Sequence, residues 1–143
     1  MPERASPEES DDKGGEMRLN QVTVPCTDVA DSVGFYTRLG LERIVASDHY
    51  ARFVCPDGDT TLSVHEVDEV AEGAAPVVYF ECDDLDLTVR ELEAAGVAFD
   101  SQPTDQRWLW REARLRDPAG NEVCLYHAGE NRLNPPWRIP PPQ

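Results

Sequence analysis

The sequence contains an internal repeat, which restricts the available folds more than any other feature. Residues of matching character recur 56 positions apart, without a gap, at six places. Repetition at a fixed spacing indicates two copies of one structural unit stacked in a single chain. The six pairs are Cys26 and Cys82, Asp28 and Asp84, Val29 and Leu85, Val33 and Val89, Tyr36 and Leu92, and Gly40 and Gly96.

Each copy predicts a strand followed by a helix. The opening strands are expected at residues 18–24 and 78–82. The aspartates of the repeat are predicted helix N-caps, because a carboxylate there accepts hydrogen bonds from free backbone N–H groups. The apolar residues that follow are spaced to share one helix face. The glycines Gly40 and Gly96 are predicted to end the helices, since glycine accepts the left-handed backbone found there.

Three more strands are predicted in each copy. In the first copy they span residues 41–45, 50–54 and 60–67. In the second copy a strand near residues 97–99 precedes two alternating segments that flank the turn Asp117-Pro118-Ala119-Gly120. Those two segments, residues 112–116 and 122–126, are predicted to form an antiparallel hairpin.

Two β-α-β-β-β (βαβββ) modules therefore make up the predicted domain, residues about 18–67 and 76–128. We predict an α+β fold in which the modules form a curved mixed sheet around a pocket, because each helix covers one sheet face and leaves the other free. Residues 1–17 are predicted to be a disordered acidic tail, since they carry almost no large apolar side chains. Residues 129–143 are predicted to be a proline-rich extended tail.

Charge and composition exclude several classes of partner. The formal net charge of −15 argues against binding to nucleic acid or to anionic membrane surfaces. No apolar segment reaches transmembrane length, and the N-terminus lacks the apolar core of a signal peptide. The four cysteines form no Cys-x-x-Cys pair, so we expect reduced thiols and a cytoplasmic location.

Two segments resemble the vicinal oxygen chelate superfamily, which includes glyoxalase I, extradiol dioxygenases, fosfomycin-resistance enzymes and bleomycin-resistance proteins. They are residues 27–41, with Asp28, Ser32, Phe35 and Tyr36, and residues 110–121, which end in Asp-Pro-Ala-Gly-Asn. The resemblance covers about residues 18–127 and implies a glyoxalase/bleomycin-resistance-like fold.

The resemblance also implies where a metal would be bound. Enzymes of this superfamily hold a divalent metal through His and Glu on four strands. The matching positions here are Gln21, Ser63 (or Leu62 by turn-to-turn register), Val77 and Cys124. None is a histidine or a carboxylate, so we predict no metal and no other cofactor.

A ligand-binding face is predicted from strand alternation and from the resemblance. In drug-binding relatives, aromatic residues near Trp108 and Trp110 stack on a flat ligand in a groove shared by two subunits, and Trp108 is the better candidate here. The competing interpretation is an ordinary polar sheet surface around a wet groove. The candidate ligand-binding residues are Gln21, Ser63, His65, Tyr79, Glu81, Trp108, Arg114, Cys124 and Tyr126.

The main functional hypothesis is a metal-free homodimer that binds a small organic molecule, flat or cationic, in this pocket. One alternative is an enzyme (a lyase, isomerase or dioxygenase) with an atypical metal site or with acid/base chemistry by His65 or Glu122. Another is a protein-interaction subunit. Trp137 and Ile139 in the tail are expected to pack on the chain's own domain or on a dimer partner.

Overall fold

The structure, a computed structural model, describes residues 17–141. The predicted acidic tail lies outside the described residues except for Met17, and so do the last two residues. Within the described part, no helix is both long enough and apolar enough to cross a membrane. The elements are β1 (Gln21–Cys26), α1 (Val29–Arg38), β2 (Glu42–Ala46), β3 (Tyr50–Val54), β4 (Thr61–Glu66), β5 (Val78–Glu81), α2 (Leu85–Ala94), β6 (Thr104–Asp105), β7 (Arg111–Arg116), β8 (Glu122–His127) and a 3-10 turn (Gly129–Asn131).

Two four-stranded mixed sheets with the same topology confirm the repeat. Their strand orders are β1-β4-β3-β2 and β5-β8-β7-β6. In each sheet the first and fourth strands of the module are parallel, and the remaining neighbours are antiparallel. The predicted α+β fold of two βαβββ modules is therefore confirmed.

The helix ends match the predicted signals in both modules. Asp28 and Asp84 each accept a hydrogen bond from the backbone N–H three residues later, at 3.0 and 3.1 Å. Gly40 and Gly96 follow the helices with φ angles of +104° and +95°. These are left-handed conformations that a side chain would strain.

One hydrophobic core is shared by the two modules. Tyr36 and Phe53 of the first module and Val89 and Leu115 of the second belong to the same cluster of buried side chains. Polar contacts reinforce the junction: the Tyr36 hydroxyl donates to Asp117 at 2.7 Å. Both modules therefore have their helix-facing sides buried, and the opposite sheet faces remain available for a site.

The predicted strand at residues 97–99 is wrong. Those residues have no strand partner, and the strand at this place in the module is the two-residue β6. Val97 is only 6% exposed and packs into the core directly after the helix. Further along the chain, the backbone N–H groups of Asp100 and Ser101 both donate to the carbonyl of Arg114, but these bonds are not part of a β-ladder. The first strand also differs, since it begins at Gln21 rather than at residue 18.

The C-terminal segment is not continuously extended. It begins with the 3-10 turn, and the N–H of Arg138 donates to the carbonyl of Pro135 in a second turn. Leu133, Trp137 and Ile139 are 60%, 58% and 81% exposed. Extensive packing of the tail on its own domain is therefore not observed, and packing on a second copy remains a prediction.

Candidate ligand-binding site

Three aromatic rings form a cluster on the face of the second sheet that points away from the shared core. Trp110 stacks on Tyr126 with ring centroids 4.7 Å apart. Tyr79 meets both rings edge-on, at 5.9 Å from Trp110 and 5.5 Å from Tyr126. The three residues come from different strands or their flanks, and they share a face because β5, β8 and β7 are neighbours in the sheet.

A chain of hydrogen bonds runs along this aromatic cluster. The indole N–H of Trp108 donates to Glu112 at 2.8 Å. Arg114 donates to the other oxygen of Glu112 at 3.3 Å and to the hydroxyl of Tyr79 at 3.1 Å. The guanidinium also lies over the Tyr79 ring, 5.6 Å from its centroid, and pairs with Glu122 at 3.4 Å. Glu112 is only 3% exposed, so these partners satisfy a carboxylate that burial would otherwise penalise.

Apolar surface remains open beside this chain. Tyr79 is 42% exposed and Trp108 is 37% exposed. Leu109, at the tip of the loop between β6 and β7, is 47% exposed and adopts a φ of +70°. A non-glycine residue in the left-handed region costs about 1–2 kcal/mol. The loop therefore holds an apolar tip next to Trp108 in spite of a backbone cost.

Cys124 lies on this face of the sheet, and its thiol is buried and protonated. It has no exposed surface, and its sulfur donates to the carbonyl of Leu125 at 3.7 Å. Burial, together with the nearby Glu112 carboxylate, raises the pKa of Cys124 to about 12. The reactive form of cysteine is the thiolate, so the surroundings of Cys124 do not activate it as a nucleophile.

The carboxylate of Glu81 is occupied by hydrogen bonds within the chain. Its carboxylate accepts hydrogen bonds from the N–H groups of Ala128 and Gly129, at 2.8 and 3.0 Å. Burial opposes ionisation of this carboxyl, but these two hydrogen bonds, together with the charges of His127 and Arg132, outweigh it and lower the pKa of Glu81 below its ordinary value. The indole N–H of Trp110 donates to the carbonyl of Asn131 at 3.4 Å. Glu81 and Trp110 thus attach the C-terminal segment to the edge of the aromatic face.

The first sheet carries a separate polar cluster. The side-chain amide of Gln21 donates to the Ser63 hydroxyl at 2.9 Å, and Ser63 bonds the Tyr50 hydroxyl at 2.6 Å. The guanidinium of Arg52 donates to the Tyr50 hydroxyl at 2.9 Å. Tyr50 and Arg52 were not among the predicted site residues. The sequence feature that could have identified them is the alternation of β3, in which the buried residues Ala51 and Phe53 separate Tyr50, Arg52 and Val54.

The predicted residues fall into two groups and one isolated residue. Ser63 rather than Leu62 lies beside Gln21, since Leu62 is buried in the core. Within residues 17–141 the side chain of His65 is exposed and has no hydrogen-bond or ion-pair partner. The group on the second sheet consists of Tyr79, Glu81, Trp108, Arg114, Cys124 and Tyr126. Hydrogen bonds through Glu112 and Arg114 link Trp108 to Tyr79, and the Tyr79 ring contacts Tyr126.

The four positions that match the metal ligands of the superfamily do not fit a divalent metal. Gln21 already uses its amide N–H groups on Ser63 and Thr23, and its oxygen accepts a hydrogen bond from Thr61. Val77 has no donor atom, and Cys124 holds a protonated thiol. No group of three or more His, Cys, Asp or Glu side chains suited to a metal occurs anywhere in the described part of the chain.

The family model of the Glyoxalase/Bleomycin resistance protein/Dioxygenase superfamily matches residues 18–125. The uncharacterised protein YraH of Bacillus subtilis (strain 168) is 28% identical over an alignment of 125 positions, which covers 77% of this chain and 98% of that protein. A glyoxalase/bleomycin resistance protein/dioxygenase from Nocardioides has a TM-score of 0.72 at 21% identity, covering 93% of this chain and 96% of that one. A bleomycin-binding protein, solved in complex with bleomycin, has a TM-score of 0.64 at 19% identity, covering 78% of this chain and 98% of that one. The two structures establish likeness of fold, and the family model spans most of the sequence. This chain therefore belongs to the Glyoxalase/Bleomycin resistance protein/Dioxygenase superfamily.

Proposed function

We propose that this protein binds a small, flat organic molecule on the aromatic face of its second sheet without using a metal. The observation that carries the proposal is the pair of partly exposed rings, Tyr79 and Trp108, held in place by the Glu112–Arg114 pair. Aromatic faces bind flat molecules by stacking, which contributes about 0.5–1.5 kcal/mol per ring pair beyond area burial. The proposed binding residues are the members of the predicted set that lie on the second sheet, with Trp108 and Tyr79 as the main contacts.

The charge of the face supports a neutral or cationic ligand. Arg114 is already balanced by Glu112 and Glu122, so it offers little net attraction to an anion. The net charge of −15 favours the approach of cations over anions. Binding of bleomycin by a protein of the same fold shows that this architecture can hold an organic molecule.

We further propose that the protein acts as a homodimer. The support is the exposed apolar side chains of the C-terminal segment, Leu133, Trp137 and Ile139. Acid/base catalysis has weaker support, because Glu122 is ion-paired with Arg114. The side chain of the other candidate, His65, is exposed and has no hydrogen-bond partner among the described residues.

The proposal is tested by titrating the protein with a panel of aromatic and cationic metabolites and following tryptophan fluorescence. Any hit is then measured by calorimetry on wild type and on Trp108→Ala. Loss of the stacking ring should weaken binding by about 2- to 13-fold, the factor that corresponds to the stacking contribution above. Trp137→Phe is the matched control, because it removes a tryptophan outside the face and should leave the affinity for the hit unchanged.

Metal independence is checked in the same experiment. Wild-type protein treated with a chelator should bind the hit as tightly as untreated protein, and elemental analysis should find no stoichiometric divalent metal. The proposal is wrong if the panel gives no saturable binding, or if Trp108→Ala binds as well as wild type.

A further inference from the structure

Arg52 is a half-buried cation that has no carboxylate partner within 4.0 Å among the described residues. Its Nε–H is used by the Tyr50 hydroxyl, which leaves the two terminal nitrogens of the guanidinium without a protein acceptor in that part of the chain. The other half-buried arginines, Arg111 and Arg114, are both ion-paired, at 2.8–3.4 Å. The remaining described arginines are exposed to water. Partial burial of a charge costs free energy unless an opposite charge compensates for it, and no residue within 17–141 gives Arg52 that compensation.

The repeat shows what Arg52 is missing. Arg52 lies opposite Ser63 on β4, and Arg114 lies opposite Cys124 on β8, so the two arginines hold equivalent places in their sheets. In the second module the two carboxylates around the arginine are Glu112 and Glu122.

The first module has neutral hydroxyl groups at those two places. The place of Glu112, two residues before the arginine, is taken by Tyr50. The place of Glu122, two residues before the opposing residue on the last strand, is taken by Thr61. The second module therefore supplies its own carboxylates to its arginine, whereas the first module supplies none.

The groups around Arg52 are neutral and form one hydrogen-bond network. Tyr50, Ser63 and Gln21 continue from the guanidinium along the same sheet face through bonds of 2.9, 2.6 and 2.9 Å. Ser63 is fully buried, so the network is fixed in place.

We infer that the face of the first sheet is a binding site for the carboxylate group of a small molecule. The terminal nitrogens of Arg52 donate to the two carboxylate oxygens as a fork, the geometry in which arginine binds carboxylates most strongly. Tyr50, Ser63 and Gln21 orient the guanidinium and border the site. This inference concerns the first module and does not rest on ligand binding by the aromatic face of the second.

The test uses acetate and benzoate as probes, with benzamide and with chloride at equal ionic strength as uncharged and inorganic references. Binding is followed by NMR chemical shifts of the folded full chain and by thermal melting. Wild type should show saturable shifts near Arg52 and a raised Tm with a carboxylate but not with benzamide or chloride. Arg52→Gln should lose this response, with affinity falling roughly tenfold or more because a charge-assisted fork is removed.

Arg43→Gln is the matched control. Arg43 is an exposed arginine on the neighbouring strand, opposite Phe53 and so on the other face of the same sheet. The Arg43→Gln substitution changes the net charge by the same amount as Arg52→Gln, and the variant should keep the wild-type response to carboxylates. Because no carboxylate within residues 17–141 pairs with Arg52, Arg52→Gln should melt close to wild type without ligand, and this separates loss of a site from loss of folding.

Three results would overturn the inference. The first is a wild-type protein that shows no saturable response to either carboxylate. The second is an Arg52→Gln protein that responds like wild type. The third is dissociation of a dimer by Arg52→Gln with no carboxylate response in wild type, which would assign Arg52 to a contact between subunits. Loss of binding on the aromatic face would leave all three readouts unchanged, so the two proposals fail separately.

Discussion

At the scale of single residues, Asp117 joins the two modules. It is 4% exposed, and its carboxylate accepts hydrogen bonds from the Tyr36 hydroxyl, from the backbone N–H groups of Ala119 and Asn121 and from the Asn121 side chain, at 2.7–3.0 Å. Asn121 also donates to the carbonyl of Pro25 at 2.8 Å. The turn that closes the last hairpin of the second module is thereby fixed to the helix and first strand of the first.

Removing the Tyr36 hydroxyl should therefore destabilise the whole chain. We expect Tyr36→Phe to lower the free energy of unfolding by about 1.5–3 kcal/mol, the usual range for a hydrogen bond to a charged group. The measurement is the midpoint of urea unfolding followed by circular dichroism. Tyr79→Phe is the control, since it removes a hydroxyl from a ring that is 42% exposed and should cost less than about 1 kcal/mol. Equal losses in the two variants would contradict the role assigned to Asp117.

At the scale of elements, the 3-10 turn after β8 depends on an ionised Glu81. Its pKa is lowered by the N–H groups of Ala128 and Gly129, although burial acts in the opposite direction. A carboxyl with a depressed pKa stabilises the folded state above its ordinary pKa, near 4.5. That stability is lost as the pH falls through the lower, folded-state value.

Glu81→Gln should remove this pH dependence. At neutral pH the variant should be less stable than wild type, with a shifted emission from Trp110, whose indole bonds the same segment. The difference should shrink as the pH falls below about 4.5. Urea unfolding and tryptophan emission across this pH range provide the measurement. Glu130→Gln, an exposed carboxylate on the same turn, should follow wild type, and a constant gap between wild type and Glu81→Gln would refute the assignment.

The elements also show which parts of the fold the sequence could predict. Both helices and the hairpin of β7 and β8 were predictable, because caps, turn residues and alternation agreed at each of them. Residues 97–99 were not, since Val97 is buried as coil and β6 has only two residues, too few for alternation to appear. A short edge strand is specified by its partner β7 rather than by its own residues.

The site was predictable only in part, for a related physical reason. Alternation places Tyr79 and Tyr126 on one face, but it does not show that Glu81 is occupied by backbone N–H groups from a different segment. Arg52 was missed because its significance depends on which carboxylates lie near it, and none of those in the described part of the chain does. The comparison with Arg114, which holds the equivalent place in the second sheet and has two carboxylate partners, is what reveals it.

At the scale of the whole molecule, charge is unevenly distributed along the chain. The formal net charge is −15, yet from Asn131 onwards the chain contains Arg132 and Arg138 and no acidic residue. The same segment exposes Leu133, Trp137 and Ile139. A basic, apolar segment is complementary to an acidic body, and exposed apolar side chains gain about 25 cal/mol per Å² when they are buried. These properties favour docking of the segment on a second copy.

We therefore expect the protein to be a dimer that depends on this segment. Trp137→Ala should weaken the dimer, and truncation after Arg132 should leave a folded monomer, because the segment's large apolar side chains are then lost while the Glu81 contacts remain. Sedimentation velocity over a concentration series measures the change directly. Leu87→Ala is the control, since Leu87 is 42% exposed on α2 and its loss should not affect assembly. Raised salt should weaken the wild-type dimer as well, because Arg132 and Arg138 would contribute through screened charge interactions. A full-length protein that sediments as a monomer at every concentration would refute this role, and it would leave the exposed Trp137 available to a partner other than a second copy.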